Sequence, residues 1–310
     1  MEGPCESDDQ EFKFSSNYPA SVTWDEVSAR FKRVEDLGFD MVTTGDHFVD
    51  WSEPSRPWLE VWTLLAAVAR ETARIRLATY VTQIPLRNPA MLARQALTLD
   101  HISGGRLEVG LGTGLRIDPV YEMIGIPNWD NPERVARLGK YVRMFDLLLS
   151  NEVTSFQGEY YQINGAVMNP RPIQSPRPPI VVAALGPKML DITARHADKW
   201  NTISFAETFD AQLAEAVERT RRVDGLCQTQ DRDPATLERT YLMFDMASRS
   251  AGGRIGYYES ENLFVDQVSR LTEKGFTEIG LYYPVLAEQE STFERIATDI
   301  IPELKRNHIG

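Results

Sequence analysis

The sequence predicts an α/β protein that closes into a (β/α)8 TIM barrel. Eight segments rich in apolar and β-branched residues alternate with segments of helical periodicity along the 310 residues. Strict alternation favours a parallel sheet with the helices outside it, because parallel strands need a crossover connection. Eight repeats and this length favour closure into a barrel over an open doubly wound sheet, which stays the alternative.

Each repeat has its own start and stop signals. The first helix opens with the capping-box pair Thr23 and Glu26 and ends at Gly38, and the third opens at Asn88 and ends at Gly104. The strands are predicted over 11–16, 39–44, 75–82, 107–111, 180–184, 200–203, 240–246 and 278–283. The remaining helices are predicted over 58–70, from Asn131 to Leu149, and over 187–197, 209–227, 262–274 and 291–306.

A different pattern covers residues 151–179. Phe156–Tyr161 is typical of a hairpin, and the stretch from 169 to 179 is proline-rich and extended. Because the alternation resumes at residue 180, we interpret this segment as an insertion in one barrel domain over residues 11–310. Residues 1–10 are acidic and polar without periodicity, which predicts a mobile arm.

Composition and charge narrow the classes of partner. The formal net charge of −12 disfavours nonspecific binding to nucleic acid or to anionic membranes, since both would repel the chain. Cys5 and Cys227 are the only cysteines, which argues against a disulfide framework and predicts a reducing, cytoplasmic location. The sequence has no signal-peptide pattern and no run of about 18 apolar residues that would span a bilayer.

In a barrel the loops after the strands meet at one mouth. Asp46, His47 and Trp51 follow directly after the strand that ends at Gly45. The side chains gathered from all these loops are aromatic and amide-rich, with His47 as the single histidine, which suits a flat conjugated ring. A zinc site needs three or four His, Cys or acidic ligands, so no metal site is predicted. No G-x-S-x-G motif supports a serine hydrolase.

Several of these residues also have a purely structural interpretation. His47 and Trp51 are as typical of a strand-end cap and of the core as of a binding site. A ring or a phosphate could approach the backbone closely at two motifs, Gly112-Thr113-Gly114 and Gly186-Pro187. The structural alternatives are a turn at the first motif and the start of a helix at the second. Arg254 is a candidate phosphate clamp, with a solvated surface arginine as the alternative. The other histidines are interpreted as structural: His101, His196 and His308.

A series of motifs runs in a fixed order along the chain. They are Asp46-His47-Phe48, Arg74–Thr79, Arg87–Ala90, Thr98–Leu107, Gly110–Gly114, Phe156–Tyr161 and Pro179–Ala184. In this order they resemble the bacterial-luciferase-like superfamily from about residue 12 to 305. The resemblance implies a (β/α)8 barrel that binds FMN or the deazaflavin F420 at its C-terminal mouth. It also implies an oxidoreductase or monooxygenase, and a homodimer formed through the outer helices.

Within that superfamily, Asp46–Trp51 resembles the F420-dependent glucose-6-phosphate dehydrogenase branch. There the matching Asp and His contact the deazaflavin, and the matching Trp lies beside the reacting carbon, which implies that His47 and Trp51 are catalytic. A non-proline cis peptide bond is expected at Tyr80-Val81. With the loop candidates above, the expected cofactor contacts are Asp46, Thr79, Tyr80, Val81, Gly112, Thr113, Gly114, Asp118, Ala183, Ala184, Leu185, Gly186, Ser204 and Arg254.

The sequence also departs from that branch. Leu115 stands where the sugar dehydrogenases carry a catalytic glutamate, and Ala206-Glu207 lies where they have a phosphate-binding lysine. A sugar phosphate is therefore not the expected substrate. The side chains of one mouth loop suggest an apolar or aromatic small molecule instead: Leu115, Ile117, Tyr121 and Met123.

The predicted function is hydride transfer between F420 and a small organic substrate. One alternative is an FMN-dependent two-component monooxygenase served by a flavin reductase, and a remote one is a non-catalytic flavin-binding barrel. A cofactor-free aldolase or isomerase is disfavoured, because no lysine or carboxylate pair is placed at the strand ends for that chemistry.

Overall fold

The computed structural model describes residues 12–17, 23–249 and 252–308, so the arm predicted over residues 1–10 lies outside the described residues. The strands are β1 (Lys13–Asn17), β2 (Met41–Thr44), β3 (Arg76–Gln83), β4 (Leu107–Gly112), β5 (Val153–Gln157), β6 (Gln162–Val167), β7 (Ile180–Ala183), β8 (Lys199–Thr202), β9 (Glu238–Leu242) and β10 (Glu278–Tyr282). The helices are α1 (Trp24–Asp36), α2 (Val61–Glu71), α3 (Pro89–Ser103), α4 (Val120–Met123), α5 (Asn131–Ser150), α6 (Pro187–His196), α7 (Phe209–Gln228), α8 (Glu261–Thr272), α9 (Ala287–Arg295) and α10 (Ile301–His308).

Eight of these strands form a closed parallel barrel in the order β1-β10-β9-β8-β7-β4-β3-β2. Every neighbouring pair is parallel, as in β4 and β7, where Val109 lies opposite Ile180. The strands β5 and β6 stand apart as an antiparallel pair within the inserted segment. The predicted (β/α)8 barrel and the predicted hairpin in the insertion are therefore both confirmed.

Several element boundaries differ from the predicted ones, and a side-chain cap explains the start of α2. The helix predicted from Trp58 begins at Val61, because the Glu60 carboxylate accepts hydrogen bonds from the amides of Trp62 and Thr63 at 3.1 and 2.7 Å. The strand predicted over 240–246 is β9, which starts two residues earlier and ends at Leu242. The closing helix is interrupted by a π turn over Ile296–Ile300.

The inserted segment is fastened to α3. The Asp100 carboxylate accepts hydrogen bonds from the amides of Ile173 and Gln174 at 2.7 and 3.2 Å. The Arg94 guanidinium donates to the carbonyl oxygen of Asn169 at 3.1 Å. These contacts satisfy backbone groups of a chain that lacks regular structure after β6.

A buried ion cluster lies inside the barrel at the N-terminal ends of the strands. The Nζ atom of Lys199, the first residue of β8, lies 2.9 Å from Glu108, 3.0 Å from Glu238 and 3.5 Å from Glu278. The Arg76 guanidinium binds Glu108 at 2.7 Å. Side chains at this end of a barrel normally serve stability, since ligands bind at the opposite end.

The two buried carboxyl groups of this cluster differ in their pKa values. Burial would raise the pKa of Glu108, but Lys199 and Arg76 outweigh it and hold that pKa below its ordinary value. Burial raises the pKa of Glu278 to about 7, with Lys199 opposing the rise and Glu108 adding to it. Glu108 is therefore the charged partner of Lys199, and Glu278 is the group that titrates near neutral pH.

Candidate functional site at the barrel mouth

His47 follows β2 and is held by the loop that follows β4. Its Nδ1 atom lies 2.8 Å from Oδ2 of Asp118, whose side chain is fully buried. Burial would raise the pKa of Asp118, but hydrogen bonds from His47, the Val120 amide and Gln83 lower it below its ordinary value. Asp118 is thus a carboxylate that accepts three hydrogen bonds and fixes the imidazole.

The neighbouring groups Gln83 and Asp118 indicate which nitrogen of His47 carries the proton. The Gln83 Nε2 group donates to the carbonyl oxygen of Asp46 at 3.0 Å and to Asp118 at 3.1 Å, and it lies 2.9 Å from Nδ1 of His47. The Asp118 carboxylate, 2.8 Å from Nδ1, can only accept a hydrogen bond. Nδ1 therefore carries a proton and donates it to Asp118, which leaves Nε2 of the neutral ring as an acceptor. Within the described residues no hydrogen-bond partner of Nε2 is found.

Asp46 lies behind His47 and is engaged by an arginine. Its carboxylate accepts two hydrogen bonds from Arg87, at 2.8 and 3.0 Å, and Arg87 also binds Glu60 at 2.6 Å. Burial raises the pKa of the Asp46 carboxyl group, and Arg87 opposes that rise. The sequence predicted that the Asp46 carboxylate contacts the cofactor. In the structure only 2% of this side chain is exposed, and its oxygens are bound by Arg87.

A cavity of about 210 Å³ opens beside His47 at the C-terminal ends of β1, β2, β3 and β10. The walls include His47, Trp51 and Tyr80, so the structure brings these three predicted residues together. The other side chains that line it are Asn17, Asp50, Ser52, Trp58 and Tyr282. The volume is smaller than the roughly 300–1,000 Å³ of pockets for drug-sized ligands, which suits a small molecule or one edge of a larger ring.

Trp58 was missed by the sequence reasoning as a site residue. Its ring packs edge-on against His47 with the ring centres 5.7 Å apart, and its buried Nε1 atom has no hydrogen-bond partner among the described residues. An unsatisfied buried donor costs about 1–3 kcal/mol. The ring of Trp58 is therefore part of the cavity wall and packs against His47, while its Nε1 atom is closed off from the cavity.

The expected cis peptide bond at Tyr80-Val81 is present. Two glycines of β4 make room for this part of β3: a Cβ atom at Gly110 would lie 2.0 Å from the carbonyl oxygen of Thr79, and one at Gly112 would lie 2.4 Å from Val81. The Thr79 hydroxyl donates to the carbonyl oxygen of Gly110 at 3.0 Å and is buried. Thr79 and Val81 therefore fix the strand pair, while Tyr80 lines the cavity.

The loop after β4 is held by side chains that the sequence reasoning did not assign. Arg134 is 2% exposed and donates to the carbonyl oxygen of Thr113 at 2.7 Å and to the Tyr121 hydroxyl at 3.0 Å. A Cβ atom at Gly114 would lie 2.5 Å from Gln83 and 2.7 Å from Tyr121, and its φ of +76° favours glycine. The sequence did contain one indication of this role, because Arg134 falls on the buried face of the helical pattern of α5.

The remaining predicted contacts lie around β7, β8 and the loop before α8. Ala184 is buried, and its carbonyl oxygen accepts a hydrogen bond from the Trp200 indole at 3.0 Å. The next residues, Leu185 and Gly186, lead into α6, and a Cβ atom at Gly186 would meet nothing within 4 Å, so a ligand can approach its backbone. Ala183, the last residue of β7, is only partly buried.

Two predicted residues are bound elsewhere in the protein. The Ser204 hydroxyl donates to Glu215 at 2.9 Å and is fully buried. Arg254 forms an ion pair with Glu288, which neutralises the charge that the predicted phosphate clamp requires. The structure therefore gives both side chains local structural partners.

The described residues contain no group of three or more His, Cys, Asp or Glu side chains placed to hold a metal ion. Among the helices of residues 12–17, 23–249 and 252–308, none combines the length and the apolar character needed to cross a bilayer. The mouth therefore offers an oriented imidazole, aromatic walls and accessible backbone.

The chain belongs to the luciferase-like monooxygenase family, whose model matches residues 11–245. It is 35% identical over 202 residues to an F420-dependent glucose-6-phosphate dehydrogenase of Kineococcus radiotolerans, an alignment that covers 62% of this chain and 58% of that relative. It is 28% identical to the protein of the same name from Intrasporangium calvum, over 88% of this chain and 92% of the relative.

A third relative carries a different substrate in its name. This is the 5,10-methylenetetrahydromethanopterin reductase of Archaeoglobus fulgidus, which is 26% identical over 94% of this chain and all of the relative. Among solved structures, an F420-dependent secondary alcohol dehydrogenase superimposes with a TM-score of 0.76 at 17% identity, covering 93% of this chain and 99% of that chain. At this identity the structural similarity supports the fold alone.

Proposed function

We propose that this protein is an F420-dependent oxidoreductase that transfers a hydride to or from a small organic substrate. The observation that carries the proposal is the histidine held by Asp118 through Nδ1, which leaves its Nε2 atom without a protein partner beside a cavity at the barrel mouth. Membership of the luciferase-like family and relatives named as F420-dependent support the choice of cofactor.

The residues present fit a planar cofactor. The aromatic side chains of Trp51, Trp58 and Tyr80 line the cavity, and the space above Gly186 admits a close approach to the backbone. Tyr80, Gly112, Thr113 and Gly186 would hold the ring and its side chain. Bound deazaflavin supplies a carbon centre that accepts or donates a hydride.

The protein's own part is orientation and proton control. Asp118 and Gln83 fix the His47 ring, so that Nε2 accepts a proton from a substrate hydroxyl group in oxidation, or in its protonated form returns one to a carbonyl oxygen. Trp51 and Trp58 exclude water from the reacting centre. Asp46 and Arg87 hold the loop that carries His47, which makes them positioning residues.

We further propose an apolar or aromatic substrate. Leu115 is 40% exposed, Ile117 71% and Met123 50% exposed on the segment that follows β4. Exposed apolar side chains grouped at a mouth indicate an apolar ligand. No glutamate stands at position 115 to serve a sugar, as the sequence already indicated.

A homodimer and a cytoplasmic location also stay predictions. The groove between α2 and α3 is largely apolar, with Trp62, Ala66, Leu99 and Ile102 in its walls. This surface suits a second copy of the chain. Sedimentation of the purified protein at several concentrations would measure the oligomeric state, and a monomer throughout would contradict the dimer.

The experiment that tests the function is a titration with each cofactor. We expect F420 to bind with quenching of its fluorescence, and FMN to bind at least tenfold more weakly. His47→Ala should abolish turnover of alcohol or carbonyl substrates while F420 still binds. Tight FMN binding with oxygen-dependent turnover would favour the two-component monooxygenase, and binding without any turnover would favour the non-catalytic barrel.

A further inference from the structure

A second groove, of about 740 Å³, lies outside the barrel between α5 and α6. Four lysine and arginine side chains line it. Three are Lys140 and Arg143 from α5 and Lys188 from α6, and the fourth, Arg195, is paired with Asp191. Within the described residues none of the three forms an ion pair with a carboxylate, although the protein carries 45 acidic residues against 33 basic ones. The groove is therefore a basic strip on an acidic protein.

The other charged groups of the groove do not cancel this charge. Asp191 lines the groove, but its carboxylate is paired with Arg195 at 2.9 Å and accepts a hydrogen bond from Gln230 at 3.1 Å. Asp146, near the C-terminal part of α5, is bound by Arg177 at 2.6 Å. Arg143 also packs over the Phe156 ring at 5.9 Å, which leaves its guanidinium edge available.

The groove begins beside the proposed cofactor site. The helices α5 and α6 follow β4 and β7, which are neighbours in the barrel. The N-terminal residues of both helices, Pro132 and Pro187, line the groove, so it starts at the end of the barrel where Gly112–Gly114 and Ala183–Gly186 lie. An extended group leaving the mouth between these two strand ends would enter it.

The floor of the groove is apolar, and it suits methylene groups. Val135, Ala136 and Ile192 line it, and Ile192 packs against Gly139, where a Cβ atom would lie 3.4 Å from it. A chain that combines short aliphatic spacers with repeated negative charges matches both the floor and the cationic rim. Deazaflavin F420 carries such a chain, a series of linked glutamates beyond its phosphate.

We propose that the groove between α5 and α6 binds the oligoglutamate tail of F420. The inference rests on the proposed function and adds to it a site on the outer surface. Lys188 contacts the part of the tail nearest the mouth, and Lys140 and Arg143 bind carboxylates further along. Each exposed charge pair contributes modestly, so we expect a combined effect of about five- to tenfold in affinity at low salt.

The test compares two forms of the cofactor, one without glutamates and one with several, by fluorescence titration of the full chain. We expect the long form to bind about five- to tenfold more tightly, with a preference that shrinks as salt rises. The charge reversals Lys140→Glu and Lys188→Glu together should remove the preference and leave the affinity for the short form within twofold. Lys140→Gln with Lys188→Gln, a milder change, should reduce it.

Lys274→Glu is the matched control, since Lys274 is exposed beyond the C-terminus of α8 and does not line the groove. Equal affinity of the unaltered protein for both forms, or a preference that survives the reversal, would overturn the tail site and leave the proposed function intact. Failure of both forms to bind would overturn the proposed function and the tail site with it. Thermal unfolding of each variant would verify that it is folded.

Discussion

The Nδ1 atom of His47 lies 2.8 Å from Oδ2 of Asp118, and this hydrogen bond joins the loop after β2 to the loop after β4. The two residues are 71 positions apart in the sequence. Asp118 is completely shielded, whereas 18% of the His47 side chain is exposed. The carboxylate therefore acts on a ligand only through the imidazole.

Asp118→Asn should lower kcat roughly 10- to 100-fold, as for other partners that orient a histidine. The neutral amide removes the charge that stabilises a protonated ring, and its NH2 group conflicts with the Val120 amide. The affinity for F420 should change less than threefold, because Asp118 does not reach the cavity. Steady-state kinetics and cofactor titration would separate the two effects.

Glu122→Gln is the control for that substitution, since it removes one charge from the same segment at an exposed position. An Asp118→Asn variant with unchanged kcat would contradict the orienting role. A variant with normal kcat and lost F420 binding would instead support the direct cofactor contact that the sequence predicted.

Arg87→Leu should destabilise the fold by about 3 kcal/mol or more, because it leaves the buried Asp46 carboxylate without its partner. The loss should shrink as the pH falls, because burial raises the pKa of Asp46 and protonation removes the unpaired charge. Urea unfolding at several pH values would measure both. Adding Asp46→Asn should restore part of the loss, and the exposed pair of Arg221 and Glu218 provides a control in which Arg221→Leu leaves stability unchanged.

Glu278→Gln should raise the free energy of unfolding at pH 8, by up to about 3 kcal/mol. The pKa of Glu278 is raised to about 7 in the folded protein, so the folded state keeps a proton that the unfolded chain gives up at lower pH. The stabilisation that the retained proton gives the folded state is present in full below the ordinary pKa of glutamate, and it is lost as the pH rises through about 7. The variant should therefore lose this part of the pH dependence.

Glu108→Gln provides the opposite case in the same cluster. Its pKa is lowered, and its carboxylate is the close partner of Lys199 and Arg76, so the substitution should destabilise the protein by about 3 kcal/mol at neutral pH. Denaturant unfolding between pH 5 and 8 would compare the two variants. If both substitutions changed the free energy of unfolding in the same direction, this would contradict the assignment of Glu108 as charged and Glu278 as the group with the raised pKa.

Gly110→Ala should destabilise the barrel by at least about 3 kcal/mol, because the new Cβ atom would lie 2.0 Å from the carbonyl oxygen of Thr79. Gly225→Ala in α7 is the matched control, and it should change the free energy of unfolding in the opposite direction. A Cβ atom there meets nothing within 4 Å, and alanine should stabilise the helix by about 0.5–1 kcal/mol. Thermal unfolding of both variants would show whether close packing, and not the loss of glycine itself, decides the outcome.

The sequence predicted the barrel because periodicity and capping are local signals. Thr23 with Glu26 does form a capping box, and Gly104 ends α3 in the left-handed region. Boundaries were missed where a residue outside the pattern acts on the backbone, as Glu60 does at α2. The π turn before α10 left no periodic signal that would distinguish it from a continuous helix.

The site was predicted less completely, because its contacts join distant parts of the chain. His47 and Trp51 follow the end of β2, and Tyr80 lies in the C-terminal half of β3, so their places in the chain suffice to bring them to the mouth. That Asp118 would contact His47, or that Glu288 would engage Arg254, depends on side-chain packing across elements. Position in a loop predicted which residues are near the mouth but not which of them face a ligand.

Tyr80 links the two ends of the barrel interior. Its ring lines the cavity, while its hydroxyl group donates a hydrogen bond to Glu278 at 3.1 Å. A ligand that shifts the Tyr80 ring changes the surroundings of the Glu278 carboxyl group, whose pKa of about 7 makes it partly protonated in neutral buffers. The measured heat of ligand binding should then vary with the ionisation enthalpy of the buffer. Calorimetry in several buffers would give the number of protons exchanged at Glu278, a residue that the ligand does not contact.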